Sequence, residues 1–259
     1  MEQALLNRIA VVTGGESGIG AACVAALAAA GADVAAIYFN DQGAGEASAA
    51  VAKALGRSAV AVQADVGAEK DVEHAFDQIA ERIGIPDILV NSAGINMSGV
   101  KVADMEIGQW ERMLRTDLTG SFLTSRRFVR DLTPTGRAGA IVNITSIHAF
   151  AMRVGGADYD AAKGGQDNLT RTLALEVAGA GITVNAIAPG MILTPMNERA
   201  MEDAKYRRNL EQNIPAQRAG RPEEVAGVAV FLASPAGAYI TGATIVIDGG
   251  LSLLQAVGA

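Results

Sequence analysis

The chain has 259 residues, half of them hydrophobic but only 4% aromatic, so a core must be assembled from Ala, Val, Ile and Leu; this length suits one large α/β domain. A net charge of −7, with no basic run longer than Arg126-Arg127 or Arg207-Arg208, excludes nucleic acid or an anionic membrane as the main partner. Cys23 is the sole cysteine and there are two histidines, which excludes internal disulfides and a structural zinc site. Residues 1–9 lack the basic-then-apolar order of a secretory leader, and no apolar run approaches the ~20 residues that span a bilayer. A cytoplasmic location is expected.

Ile9 to Thr13 is a short β-branched run ending in glycines and reads as a buried strand, followed by a helix from Gly18 to Ala30 that Gly31 ends. The pattern repeats: strand 34–38, helix 45–55, strand 59–63, helix 70–82, strand 88–91 and a long helical stretch 106–132. Strand 140–145, helix 157–178, strand 183–187, helix 222–232 with Pro222 in its first turn, and strand 244–247 complete the series. This alternation predicts a doubly wound, Rossmann-type parallel sheet of about seven strands with helices on both faces. No linker divides residues 1–259, so a single domain is expected. Residues 194–219, polar and rich in Arg, Glu, Met and Asn, are too long for a plain connection and are expected to form a substrate lid within it.

Ligands of such sheets bind beyond the carboxyl ends of the strands, and the chemistry-bearing residues fall there. After the first strand, Thr13-Gly14-Gly15-Glu16-Ser17-Gly18-Ile19-Gly20 offers close backbone approach and a helix N-terminus to a diphosphate; turn glycines alone would look similar. Asp65-Val66 follows the third strand, where the carboxylate can accept from an adenine amino group or cap the next helix. Asn91-Ser92-Ala93-Gly94 follows the fourth and fits either the floor of a cofactor cleft or a simple turn. Ser146 ends the fifth strand, and Pro189-Gly190-Met191-Ile192-Leu193-Thr194 follows the sixth. Thirteen residues beyond Ser146 come Tyr159 and Lys163, one helical turn apart on one face. A neighbouring cation favours the phenolate, moving a group that titrates near ~10 toward the range useful for proton transfer. By itself such a pair usually means an interfacial Tyr beside a solvated Lys.

Taken together and in order, TGGESGIG, Asp65-Val66, NSAG, Ser146, YDAAK and the Pro189-Gly190 turn resemble the single-domain short-chain dehydrogenase/reductase family, from the glycine turn to Asp248-Gly249-Gly250. The resemblance implies an NAD(P)-dependent oxidoreductase interconverting a secondary alcohol or sugar hydroxyl and its carbonyl. Tyr159 would be the general acid/base, Lys163 its pKa-lowering neighbour and a ligand of the nicotinamide ribose, and Ser146 the partner of the substrate oxygen. Gly14, Ser17, Ile19 and Gly20 would cradle the diphosphate, Asp65 and Val66 would meet the adenine, and Ile192 and Thr194, after Pro189, the carboxamide. Asn91 and Gly94 would line the cleft floor, and Tyr38 would stand at the adenosine ribose. Family members are commonly tetramers, so a homotetramer is expected. A 3-oxoacyl-thioester ketoreductase is the rival within the class, and a non-catalytic nucleotide-binding regulator the rival outside it.

Glucose 1-dehydrogenase-like members of the family share Ser146-Ile147-His148, Ala162-Lys163-Gly164-Gly165, Arg221-Pro222-Glu223-Glu224 and the tail with Gln255-Ala256. Ala149 stands where those members carry Glu, and residues 152–158 lack their Trp and His. His148 is a candidate to orient a substrate hydroxyl, or a plain wall residue. Asp117 stands where the family usually has Asn. A carboxylate there should stabilise Lys163 as a cation and oppose ionisation of Tyr159, predicting an active enzyme with a more alkaline optimum. At the end of the second strand, Ile37-Tyr38-Phe39-Asn40-Asp41 has neither an acidic residue at Tyr38 nor a basic one at Phe39. Ser17 is not basic either, and with Glu16 in the glycine turn the balance tips to NAD over NADP. No catalytic metal is expected.

Overall fold

The computed structural model describes residues 3–96 and 98–256. Seven strands form one sheet, all neighbours parallel, in the order β3-β2-β1-β4-β5-β6-β7. They are β1 Ile9–Thr13, β2 Asp33–Tyr38, β3 Ala59–Gln63, β4 Ile88–Asn91, β5 Gly139–Ile144, β6 Ile182–Pro189 and β7 Thr244–Ile247. The principal helices are α1 Gly18–Ala29, α2 Gln42–Ala54, α3 Glu69–Ile83, α4 Ile107–Met113, α5 Gly120–Leu132 and α6 Ala157–Val177. After these come α7 Glu198–Glu202, α8 Ala204–Glu211 and α9 Pro222–Ala233.

Side chains alternate across each strand, which is why each strand had to be apolar on both faces. Ala10, Val12, Ile88, Val90 and Val142 pack beneath α1, α2 and α9. Val11, Leu89 and Ile141 face α3, α5 and α6, where Phe76 and Phe128 fill the space that small aliphatics leave. The strand order reverses between β1 and β4, so the loops leaving these two strands diverge and open a crevice at their carboxyl ends.

Three boundaries differ from expectation. Helix α2 starts at Gln42 rather than near Gly45, because Asp41 Oδ1 accepts from the Ala44 amide at 2.9 Å and caps it. Strand β6 runs to Pro189, ordered by pairing to β7. The long helical stretch 106–132 is interrupted: a π-helical turn, Leu114–Thr119, separates α4 from α5. Such turns are uncommon and recur at functional sites. This one carries Asp117.

Residues 194–219 form a short 3₁₀ turn, Pro195–Asn197, then α7 and α8. The segment is tied down at both ends. Asn197 Nδ2 donates to the Ile192 carbonyl at 2.8 Å, and the Ala216 amide donates to the Gly249 carbonyl at 3.0 Å. At its base, Asn96 Nδ2 donates to the Met196 carbonyl at 3.1 Å, joining the loop after β4 to the loop after β6. The tail turns at Leu251–Ala256, and the last three residues of the apolar tail lie outside the described residues.

Candidate active site

A cleft of about 900 Å³ opens at the carboxyl ends of the strands. Its inner end holds Ser146, Tyr159 and Lys163, and its outer end is walled by the glycine turn and by the residues that follow β2 and β3. Each catalytic candidate is placed by a different element. Ser146 leaves β5 in extended conformation, its Oγ accepting from the His148 amide at 3.1 Å. Tyr159 and Lys163 project from the first turns of α6, with Lys163 Nζ 5.4 Å from the centre of the Tyr159 ring. The Ser146 hydroxyl stands beside the phenol, where it favours the ionised form.

Lys163 is almost fully buried, and its charge is met from several sides. Nζ donates to the Ile144 carbonyl at 3.2 Å and to Gln166 Oε1 at 3.4 Å, and lies 3.1 Å from Asp117 Oδ2. The contact with Asp117 is an ion pair rather than an aligned hydrogen bond, since Oδ2 has no hydrogen-bond partner. The other oxygen, Oδ1, accepts from the Ile95 amide at 2.9 Å.

Burial, the largest influence, pushes the Tyr159 phenol above its ordinary value; Lys163 pulls it down, and Asp117 pushes it up again. Lys163 thus lowers the Tyr159 pKa as expected, but burial and Asp117 outweigh it, and the phenol lies above its ordinary value. Burial lowers the Lys163 ammonium, but Asp117 and Tyr159 outweigh it and the group is held charged. Burial likewise raises Asp117, against the pull of Lys163.

Behind these groups runs a buried polar chain that ties the strands β4 and β5 to the helices α5 and α6. Asn91 Nδ2 donates to Asn143 Oδ1 at 2.8 Å, and Asn143 Nδ2 donates to Thr170 Oγ1 at 2.8 Å. Gln166 Nε2 donates to Ser121 Oγ at 2.7 Å, and Ser121 Oγ donates to the Asp117 carbonyl at 3.1 Å. Thr124 Oγ1 donates to Asn91 Oδ1 at 2.7 Å. Almost every member is satisfied, so the chain acts as a rigid template for Lys163.

At the outer end, the glycine turn leaves no room for side chains. A Cβ on Gly20 would lie 1.9 Å from the Gly14 carbonyl oxygen, and Gly14 itself has φ +63°. The bare backbone loop leading into α1 is thus free to approach an anion, as a pyrophosphate requires. Gly94 is equally constrained: a Cβ there would come within 2.7 Å of Asp117 Oδ2. Both observations fit a dinucleotide laid across the switch point, with its reactive end at Tyr159.

Comparison with known proteins agrees with this geometry. The family model described as enoyl-(acyl carrier protein) reductase matches residues 14–252. The chain belongs to the short-chain dehydrogenase/reductase family. This dehydrogenase/reductase is 40% identical over 250 residues to 3beta-hydroxysteroid dehydrogenase 1 of Eggerthella lenta, covering 96% of this chain and 95% of that one. It is 34% identical to glucose 1-dehydrogenase 2 of Bacillus subtilis, covering 98% of each. It is 40% identical to the 3-oxoacyl-[acyl-carrier-protein] reductase of Synechocystis, covering 96% of this chain and 98% of that one. It is an NAD(P)-dependent oxidoreductase of the alcohol/carbonyl type, and the resemblance to glucose 1-dehydrogenase-like members stands.

Of the residues expected at the site of this oxidoreductase, Gly14, Ser17, Ile19, Tyr38, Asp65, Val66, Gly94, Ser146, Tyr159, Lys163, Pro189, Ile192 and Thr194 line the cleft. Four do not. Asn91 is consumed by the buried polar chain, so its side chain serves the scaffold and not the cofactor. Gly20 closes the turn from behind. Asp117 stands behind Lys163. His148 is turned aside: its Nδ1 meets the Ala151 carbonyl at 2.8 Å, and its ring meets the Tyr159 ring edge-on at 6.1 Å. A carbonyl only accepts, so Nδ1 carries the proton, and His148 holds the walls around Ser146 and Tyr159. Asp65 is not the cap of α3; its Oδ1 accepts from the Gly67 amide at 2.9 Å and its Oδ2 lies 3.8 Å from Arg115. Sequence reading missed Arg112, Arg115 and Thr116, which enter the cleft from α4 and the π-helical turn. No local pattern in the chain marks such a turn.

Proposed function

We propose that the protein is an NAD-dependent dehydrogenase of a secondary alcohol, with Tyr159 as general acid/base. The observation that carries the reading is the convergence of Ser146, Tyr159 and Lys163 at the inner end of the cleft. The cofactor, when bound, supplies the hydride acceptor or donor. Gly14, Ser17 and Ile19 would hold its diphosphate, Asp65 and Val66 its adenine, and Ile192 and Thr194 its carboxamide, with Lys163 on the nicotinamide ribose. Ser146 fixes the substrate oxygen by a hydrogen bond, and Tyr159 exchanges the proton at that oxygen. In alcohol oxidation Tyr159 must accept the proton; in carbonyl reduction it donates. Asp117 favours the protonated phenol and so sets a more alkaline optimum for oxidation.

The whole chain acts as one dinucleotide-binding and catalytic domain, with residues 194–219 as the substrate lid. Met196 faces the cleft from the lid, beside Ile95 and Ile192 on the cleft wall. This apolar lining favours an alcohol carried on an apolar framework over a sugar hydroxyl or an acyl thioester. Preference for NAD rests on the cleft wall from Ile37 to Asp41, which contains no Lys or Arg. Exposed Phe122 on α5, Leu175 on α6, and Val246 on the edge strand β7 support a homotetramer. No helix among the described residues is long and apolar enough to cross a membrane, and the single free thiol, Cys23, suits a cytoplasmic home. A spectrophotometric screen of alicyclic and aliphatic secondary alcohols, sugars, polyols and β-keto esters with both cofactors tests the reading. Turnover confined to sugars would reverse the substrate assignment, and no turnover with any of them would favour a non-catalytic binder.

A further inference from the structure

The outer end of the cleft contains a buried oxygen with no partner. Glu16 sits in the loop between β1 and α1, and its Oε1 accepts from the Phe39 amide at 3.2 Å. That contact swings the carboxylate across to the end of β2. The second oxygen, Oε2, is buried and has no hydrogen-bond partner. A carboxylate oxygen without a donor is costly, and Glu16 is only half-buried and lines the cleft, so a small turn of its side chain brings Oε2 to a donor on the ligand.

The position of Oε2 indicates which donor. With the diphosphate on the glycine turn and the nicotinamide at Tyr159, the adenosine ribose lies over the carboxyl end of β2. Dinucleotide folds that choose NAD place an acidic residue on β2 itself to accept from the ribose 2′-hydroxyl. Here β2 ends in Tyr38, and Asp41 spends Oδ1 on capping α2. We propose that Glu16, reaching over from the glycine turn, is the group that accepts from the adenosine 2′-hydroxyl and repels a 2′-phosphate. The cations that line the cleft are elsewhere. Arg115 lies beside Asp65 after β3 and against Gly67, Arg112 is on α4, and Lys163 is at the inner end. Nothing at the β2 end therefore compensates a phosphate.

This assignment rests on the dehydrogenase reading and deepens it. Its test is direct binding, by calorimetry or protein fluorescence, of NAD+, NADP+ and NAD+ lacking the adenosine 2′-hydroxyl to wild type and Glu16→Gln. The glutamine keeps an acceptor for the Phe39 amide, so the loop is retained. Wild type is expected to bind NAD+ at least ~100-fold more tightly than NADP+, and to lose about tenfold or more when the 2′-hydroxyl is removed. Glu16→Gln is expected to gain NADP+ affinity by about tenfold or more and to narrow the preference. Equal binding of NAD+ and NADP+ by wild type, or an unchanged preference in Glu16→Gln, overturns the assignment of Glu16 and leaves the dehydrogenase reading standing. Failure of wild type to bind either dinucleotide overturns both.

Discussion

The two ends of the cleft are built on opposite principles. At the outer end, after β1, β2 and β3, the walls are loop backbone and small or exposed side chains: Gly14 and Gly18 with positive φ, Phe39 and Asp41 open to solvent. At the inner end, after β4, β5 and β6, Asn91, Asp117, Asn143, Lys163 and Gln166 are all buried polar groups joined by short contacts. The outer end can bind because its backbone is bare. The inner end can react because burial has amplified every charge in it.

Tyr159→Phe should show the largest effect. Removing the proton-transfer group while keeping the ring is expected to reduce turnover by at least ~10²–10⁴-fold. NAD(H) binding, measured by fluorescence, should stay close to wild type, because the outer end is untouched. Turnover retained in this variant would mean that the inner end is not the reactive one.

How much of this contrast the chain disclosed follows from the same division. The outer end was legible because backbone requirements leave a local mark: only glycine tolerates the 1.9 Å approach at Gly20. The seven strands and their order of appearance were legible for a similar reason, since apolar runs and turn residues are short-range features. The inner end was legible only where spacing reflects one helix, as for Tyr159 and Lys163. The role of Asn91 depends on Asn143, 52 residues away, and no local pattern carries such a pairing. The pull of Lys163 on Tyr159 and the opposing push of Asp117 were legible, but the net direction of the shift was not. Lys163 is a neighbour in sequence, but the dominant influence is burial, which only the packed fold decides.

The buried polar chain gives the next largest effect. Asn143→Leu leaves Asn91 Nδ2 with Ser125 alone and removes the donor to Thr170 Oγ1. About 1–3 kcal/mol of stability should be lost for each group left unsatisfied, read as a lower urea midpoint. An unchanged midpoint would show that the inner end is not held by this network.

Asp117→Asn should leave stability closer to wild type, because an amide oxygen can still accept from the Ile95 amide. Its effect falls on the pH profile. Oxidation requires the phenolate, so its rate rises as pH climbs through the Tyr159 pKa. Asp117 is among the groups that raise that pKa, and neutralising it moves the rising limb to lower pH. A profile that stays in place would remove Asp117 from the tuning of Tyr159 and leave it a structural partner of Lys163.

The smallest effect is expected from Cys23, on α1 beneath the outer end. It is fully buried, and burial pushes its thiol up to about 12. At pH 8 only about 10⁻⁴ of such a group is thiolate, the nucleophilic form, and the folded protein hides even that. Iodoacetamide is therefore expected to leave turnover and NAD+ binding unchanged, and labelling should appear only as the protein is unfolded with urea. Because alkylation requires exposure, the labelling rate in native buffer measures how often α1 opens. If labelling is fast while activity persists, the bare-backbone end of the cleft opens independently of the rigid inner end. If the rate follows global unfolding, both ends belong to one cooperative unit, and their difference lies in chemistry alone.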